Sequence, residues 1–195
     1  MNTEYPKKIA ENVTMYAGDP ILYVVNEFVS DSECEAFIQA SKGKLKPSTV
    51  ISPGKHIQHE SRTSENCWIE HDASDILHEV SKRLSILTQI PIRNAEQYQL
   101  VYYKKGTQYK PHFDSFDYGT EDGKKNWKPG GQRIVTVLVY LNTVEGGGGT
   151  DFPELGVTVK AKKGDVVVFH NTLTEVPTPS HSRVHPKSLH AGMPV

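Results

Sequence analysis

The chain has 195 residues, with 22 basic and 23 acidic side chains and a formal net charge of −1. That length favours one domain with a sizeable core, and the balanced charge excludes a bulk attraction to nucleic acid or an anionic membrane. No apolar run reaches the roughly 18 residues of a membrane span. The opening stretch MNTEYPKKIAENVTMY lacks the apolar centre of a secretory signal, so a cytoplasmic protein is expected.

A single domain is expected over 1–195, with about the first 20 residues as an N-terminal extension. ILYVVNEF (21–28) reads as a buried strand. Ser30 then caps a helix, with Glu33 as its reciprocal partner. Residues 43–66 carry Gly, Pro, Ser and charge and are expected to form loops or short strands. The segment 72–90 is the best helix. Asp72 can cap it, Ile76, Val80, Leu84 and Leu87 share one apolar face, and Pro91 stops it. Cys34 and Cys67 are too few for a disulfide framework and are expected as reduced, buried thiols.

Beyond Pro91 the pattern becomes β-branched and aromatic, at 96–103, 133–142, 156–161 and 164–171. Lys162-Lys163-Gly164-Asp165 reads as a hairpin turn. Helices first and antiparallel strands second predict an α+β protein whose helices cover a β-sandwich or open barrel. The polar run from Ser115 to Gly131 is long for a compact domain, and is either a lid or a surface excursion. Gly146 to Gly149 are not followed by Gly-Lys-Ser/Thr, so they make a tight connection rather than a phosphate loop.

The stretch YKPHFD places His112 two residues before Asp114. On a strand the two side chains point to the same side and can share an ion. Imidazole with carboxylate suits Fe(II), Mn(II) or Zn(II). His170, His181, His185 and His190 are candidates for a third ligand. Two histidines and one carboxylate on one face of the ion leave three positions open, the arrangement of non-haem Fe(II) oxygenases. A catalytic zinc needs only one. A bare His-x-Asp is common, and nine histidines are enough for chance clusters.

YYKKGTQYKPHFD (102–114) resembles the metal-binding strand of the prolyl 4-hydroxylases, Fe(II)- and 2-oxoglutarate-dependent dioxygenases. The run from Gly130 to Asn171 is similar to that family's next block, SLHAGMPV (188–195) to the segment with the third ligand, and VNEFVSDSECEAFI and SRTSENCW to its N-terminal half. The resemblance implies a double-stranded β-helix, or jelly-roll, core with the N-terminal helices packed on the major sheet. It implies His112, Asp114 and His190 as the metal ligands and catalytic centre. His181 and His185 then fall near the site or on the surface, and His170 becomes structural. Tyr103 and Thr150 are implied beside 2-oxoglutarate. Tyr109 and Arg133 are implied toward the peptide, with Trp127 as a further stacking surface or a plug for its own loop. Tyr140 is expected in the core.

The activity implied is peptidyl-prolyl 4-hydroxylation, coupled to oxidative decarboxylation of 2-oxoglutarate to succinate and CO2. Fe(II) and O2 are required, and ascorbate is implied as well. The implied substrate is an extended Pro-rich peptide or protein, with no nucleic acid or membrane partner. A related oxygenase acting on a small molecule or nucleobase, or a non-catalytic metal-holding module, are the alternatives. The family pattern also carries a lysine about ten residues after the third ligand, on a final strand, for the distal carboxylate of 2-oxoglutarate. Val195 lies five residues past His190, so that strand is expected to be missing from this chain. A buried carboxylate without a cation is disfavoured, and Arg133 is a candidate replacement. Closing the loop from His112 to His190 costs roughly 4 kcal/mol of chain entropy, so the sheet is expected to preform the site.

Overall fold

The computed structural model describes residues 4–52, 55–127, 130–173 and 183–195. The first helix, α1 (Asp31–Ser41), starts as the sequence pattern predicts. The Glu33 backbone N–H donates to Ser30 Oγ at 3.3 Å, and the Ser30 N–H donates to the Glu33 carboxylate at 2.8 Å. Two of the unpaired donors at the helix start are thereby satisfied.

The second helix, α2 (Asp75–Thr88), corrects two expectations. Its cap is Ser74, not Asp72: the Leu77 N–H donates to Ser74 Oγ at 3.3 Å. Its buried stripe runs through Leu77, Val80, Ser81 and Leu84, while Ile76 stays 47% exposed. Two adjacent apolar residues sit about 100° apart on a helix, and only one can face the core. Leu77 wins, with Val80 and Leu84 at i+3 and i+7. Ser81 is tolerated inside because its hydroxyl donates to Leu77 O at 2.9 Å and meets the Tyr98 hydroxyl at 2.6 Å. Gln89 ends the helix in the left-handed region at φ 57°, ahead of Pro91.

The strands in chain order are β1 (Lys7–Ala10), β2 (Val13–Gly18), β3 (Ile21–Val25), β4 (Lys46–Pro47), β5 (Val50–Ser52), β6 (Lys55–Ile57), β7 (Glu65–Ile69), β8 (Tyr98–Tyr102), β9 (Tyr109–His112), β10 (Val135–Val139), β11 (Thr150–Phe152), β12 (Val157–Val159), β13 (Val166–His170) and β14 (His190–Gly192). A larger sheet runs β1-β2-β3-β13-β10 and a smaller one β12-β11-β14-β9. Strands β4-β7-β8 and β5-β6 form two minor sheets. The residues read as an N-terminal extension therefore supply two strands of the larger sheet.

Strand β13 explains the layering. Val166 and Val168 pack on one side with Cys34 and Phe37 of α1, Leu77, Val80 and Leu84 of α2, and Cys67 and Ile69 of β7. Val167 and Phe169 pack on the other with Leu22 and Val24 of β3, Phe152 of β11 and Val159 of β12. A strand buried on both faces must be apolar at every position, as VVVF is. Helices thus cover the outer face of the major sheet, and a second core fills the space between the two sheets. This is the α+β jelly-roll arrangement expected. Cys34 and Cys67 are buried and unpaired.

The turn at Lys162–Asp165 is tight, with the Asp165 N–H donating to Lys162 O at 3.1 Å, but it is no hairpin. It joins β12 to β13, which belong to different sheets. Its residues specify the bend; the partner of each flanking strand is set by packing. Gly164 has φ 83°, and a Cβ there would lie 2.4 Å from Val29 O. The segment 115–131 contains a short helix, α3 (Glu121–Trp127), with Tyr118 and Trp127 edge-to-face at 5.4 Å.

Candidate metal centre

Strands β9 and β14 pair antiparallel, with His112 directly opposite His190 and a bulge between His190 and Gly192. Opposite residues on one face have adjacent Cβ atoms, and the two imidazole centroids lie 4.3 Å apart. The chain leaves β9 just after His112, and Asp114 turns its carboxylate back toward them. Asp114 Oδ1 is 3.6 Å from His112 Nε2, and Oδ2 is 3.5 Å from His190 Nε2. One ligand atom from each residue lies within 4.8 Å of the others, and no other such group occurs among the described residues.

Local hydrogen bonds set the imidazole tautomers. His112 Nδ1 lies 2.9 Å from Lys110 O, and His190 Nδ1 lies 2.9 Å from Ser188 O. A carbonyl only accepts, so each Nδ1 carries the proton and each Nε2 offers a lone pair. Asp114 Oδ2 also accepts from the Thr136 hydroxyl at 2.6 Å. Two lone pairs and a carboxylate converge with no proton assigned between them. Such a donor set, with outer partners orienting each imidazole, fits a divalent first-row cation.

Electrostatics agree. His190 is buried among Phe152 and Phe169, and desolvation holds its pKa below the ordinary histidine value. Desolvation alone would raise the Asp114 carboxyl, but the neighbouring His112 and His190 and the Thr136 hydroxyl outweigh it. They hold Asp114 below the usual carboxylate range. The ionised carboxylate is the form that binds metal, and the lowered His190 pKa favours the neutral imidazole that does so too.

The other residues singled out by sequence fall into two groups. Tyr109 stacks on the His112 ring, with centroids 3.5 Å apart, and the Arg62 guanidinium lies 4.6 Å from the Tyr109 ring centre. Tyr103 is half-buried against Gly192, where a Cβ would come within 2.8 Å of its hydroxyl; burial pushes its phenol pKa up. Thr150 is buried, and its hydroxyl shares a 2.7 Å hydrogen bond with that of Tyr140. Tyr140 lies in the core as expected, its pKa pushed up to about 12 by burial.

Arg133 is already engaged. Its Nε and Nη2 donate to the two Glu96 carboxylate oxygens at 2.5 and 2.7 Å, and it lies 4.8 Å from the Phe116 ring centre. That bidentate pairing occupies the fork that was offered as a substitute for the family lysine. Trp127, the last residue of α3, packs edge-to-face on Tyr118, which precedes the helix. His170 ends β13 half-buried and outside the metal group. His185 is not on the surface: it is buried, with Nε2 3.1 Å from Asp19 Oδ1 and Nδ1 accepting from the Lys187 N–H at 3.2 Å. His181 lies outside the described residues.

Residues that sequence reasoning passed over include Arg62, Glu96, Thr136 and Asn171. Arg62 lies in the quoted SRTSENCW, but nothing local in that run marks its guanidinium as reaching Tyr109. An open hollow beside His112 is lined by Val50, Ile57, His59, Tyr109 and Pro111, among others.

A family profile described as the 2OG-Fe(II) oxygenase superfamily matches residues 98–195. "Probable prolyl 4-hydroxylase 7" of Arabidopsis thaliana is 34% identical over 203 residues, covering 94% of this chain and 61% of that protein. Prolyl 4-hydroxylase 5 of the same plant is 32% identical, covering 94% of this chain and 66% of its own length. The chain thus spans under two thirds of either relative. A crystal structure of a viral collagen prolyl hydroxylase from Paramecium bursaria Chlorella virus-1, in complex with 2OG, superposes with a TM-score of 0.66 at 29% identity. That match covers 89% of this chain and 88% of the viral one. With the matched profile, the jelly-roll layers and the convergent His112, Asp114 and His190, the chain belongs to the 2OG-Fe(II) oxygenase superfamily and, within it, to the prolyl 4-hydroxylase family.

Proposed function

We propose that the protein hydroxylates prolyl residues in a Pro-rich peptide or protein, in a reaction coupled to 2-oxoglutarate decarboxylation. The carrying observation is the convergence of two Nδ1-protonated imidazoles and one carboxylate beside an open hollow lined by Tyr109, Val50, Ile57 and Pro111. His112, Asp114 and His190 would hold Fe(II), which supplies dioxygen activation coupled to oxidative decarboxylation of 2-oxoglutarate. The likeness to a viral collagen prolyl hydroxylase in complex with 2OG supports both the co-substrate and the substrate class.

The chain's own residues do the rest. Lys110 O and Ser188 O fix the imidazole rings, so neither histidine must reorganise to bind. Tyr109, stacked on His112, lines the hollow that an incoming segment would enter. Val50, Ile57 and Pro111 supply apolar wall for proline rings. Tyr103 and Thr150 offer hydroxyls on the His190 side for the co-substrate. The Glu96–Arg133 pair sits beside Phe116 and steadies the entry to β10. Ascorbate would keep the iron reduced.

The test is peptide-stimulated succinate release with Fe(II) and 2-oxoglutarate, together with mass-spectrometric detection of 4-hydroxyproline. Stoichiometric succinate and hydroxyproline are expected. Turnover of 2-oxoglutarate that no Pro-rich peptide stimulates would transfer the activity to a small molecule or nucleobase.

A further inference from the structure

We propose that Thr136 and Asn171 form a positioning relay that selects which Asp114 oxygen faces the ion and aims His190 at it. This rests on the reading of His112, Asp114 and His190 as a metal centre. Neither Thr136 nor Asn171 would touch the ion, substrate or co-substrate; they act through the ligands.

Asn171 follows β13 and is fully buried. Its side-chain Nδ2 donates to Thr136 Oγ1 at 2.7 Å, and Thr136 Oγ1 donates to Asp114 Oδ2 at 2.6 Å. The direction is fixed by chemistry. An ionised carboxylate only accepts, so the single threonine proton goes to Asp114, and the threonine oxygen must accept from the amide. The threonine proton takes one lone pair of Oδ2 and so biases ligation toward Oδ1, which faces His112.

The backbone of the same residue reaches the other ligand. Asn171 O accepts from the His185 N–H at 2.8 Å, and His185 O accepts from the Ser188 hydroxyl at 2.8 Å. Ser188 O in turn receives the Nδ1 proton of His190. Asn171 O also accepts from the hydroxyl of Ser115, which adjoins Asp114, at 3.2 Å. One buried residue is therefore bonded to the segments that carry two ligands far apart in sequence.

An ordinary structural asparagine satisfies both ends of its amide when buried, because an unpaired oxygen is costly. Among the described residues Oδ1 has no hydrogen-bond partner. The residue keeps that cost while spending its donor on Thr136.

The experiment uses the metal-free full chain titrated with Co(II), whose visible absorption reports coordination. Thr136→Val preserves shape and suits a strand flanked by valines. It is expected to weaken Co(II) binding about 10- to 100-fold and to change the absorption bands. The metal-free variant should still melt cooperatively, at a lower temperature because Asn171 Nδ2 loses its buried acceptor, and Thr136→Ser should restore affinity, spectrum and melting temperature. Asn171→Ala should weaken binding too, and the double variant should lose no more than the worse single one, since both act through one chain. Parental affinity in Thr136→Val, failure of Thr136→Ser to restore it, or additive losses in the double variant would overturn the relay. Should Thr136→Val not fold, Thr136→Ala carries the same readouts. Failure of the parent chain itself to bind Co(II) would instead overturn the metal centre.

Discussion

At the scale of single residues, the site separates groups that would hold the ion from groups that would shape what approaches it. His112→Ala and Asp114→Ala each remove a ligand, and hydroxylation and peptide-stimulated succinate release should both fall below detection while the far-ultraviolet spectrum is kept. Retained turnover in either purified variant would contradict the ligand assignment. Tyr109→Leu keeps bulk but removes the hydroxyl and the stacking on His112. It should raise the KM for peptide about tenfold, about 1.4 kcal/mol, with little change in the KM for 2-oxoglutarate. The sequence showed His112 and Asp114 because their spacing is local. It showed His190 only through resemblance, since the cross-strand pairing that sets it opposite His112 is a tertiary fact. Arg62, Thr136 and Asn171 were hidden for the same reason: each earns its place through a contact distant in sequence.

At the scale of elements, the periodic signals were legible and their phase was not. The second helix was expected, yet the stripe through Ile76 was off by one position. Pattern alone could not choose between neighbouring apolar residues that both continue to Val80 and Leu84. Packing decides, and stability should show it. Leu77→Ala should cost about 2–5 kcal/mol. Ile76→Ala, at an exposed position, should stay within about 0.5 kcal/mol. Chemical denaturation of the two variants separates these outcomes. The turn at Lys162–Asp165 teaches a similar lesson. Gly and charge announce a reversal, but whether the flanking strands pair or part is settled by where the two sheets lie.

At the scale of the molecule, the helical layer is tied to its own first turn by charge. Both terminal nitrogens of Arg83 reach the Glu33 carboxylate, at 2.7 and 2.8 Å, linking α2 to the cap of α1. That hydrogen-bonded pairing lowers the Glu33 pKa to about 2. The folded value lies below the unfolded one, so the stabilisation is full above the ordinary glutamate range near pH 4.3 and is lost as pH falls toward 2. The Arg83 side chain is partly exposed, so solvent screening limits the pair to roughly 1 kcal/mol. The melting-temperature gap between the parent and Arg83→Ala should therefore be open at pH 6 and close as pH falls toward 2. A gap that persists unchanged would assign the effect to packing of the arginine stem on Phe28. The layered fold itself was readable from the order of helices and strands. The two added strands, β1 at the sheet edge and β2 inside it, were not, because β1 is wholly exposed and β2 is only half-buried, so neither carries a strong apolar pattern.

The face-to-face placement of His112 and His190 also bears on the fidelity of strand alignment. Sliding β14 by one residue along β9 would swing one imidazole to the opposite side of the sheet. An ion gripped by both rings penalises every such misalignment, while backbone hydrogen bonds alone discriminate weakly between registers three residues long. A bound ion would then proofread the seam between these two strands as well as serve as a reagent. Amide exchange at His112, His190 and Ala191 should slow on adding Co(II) far more than exchange in the β3–β13 ladder, which already sits in the core.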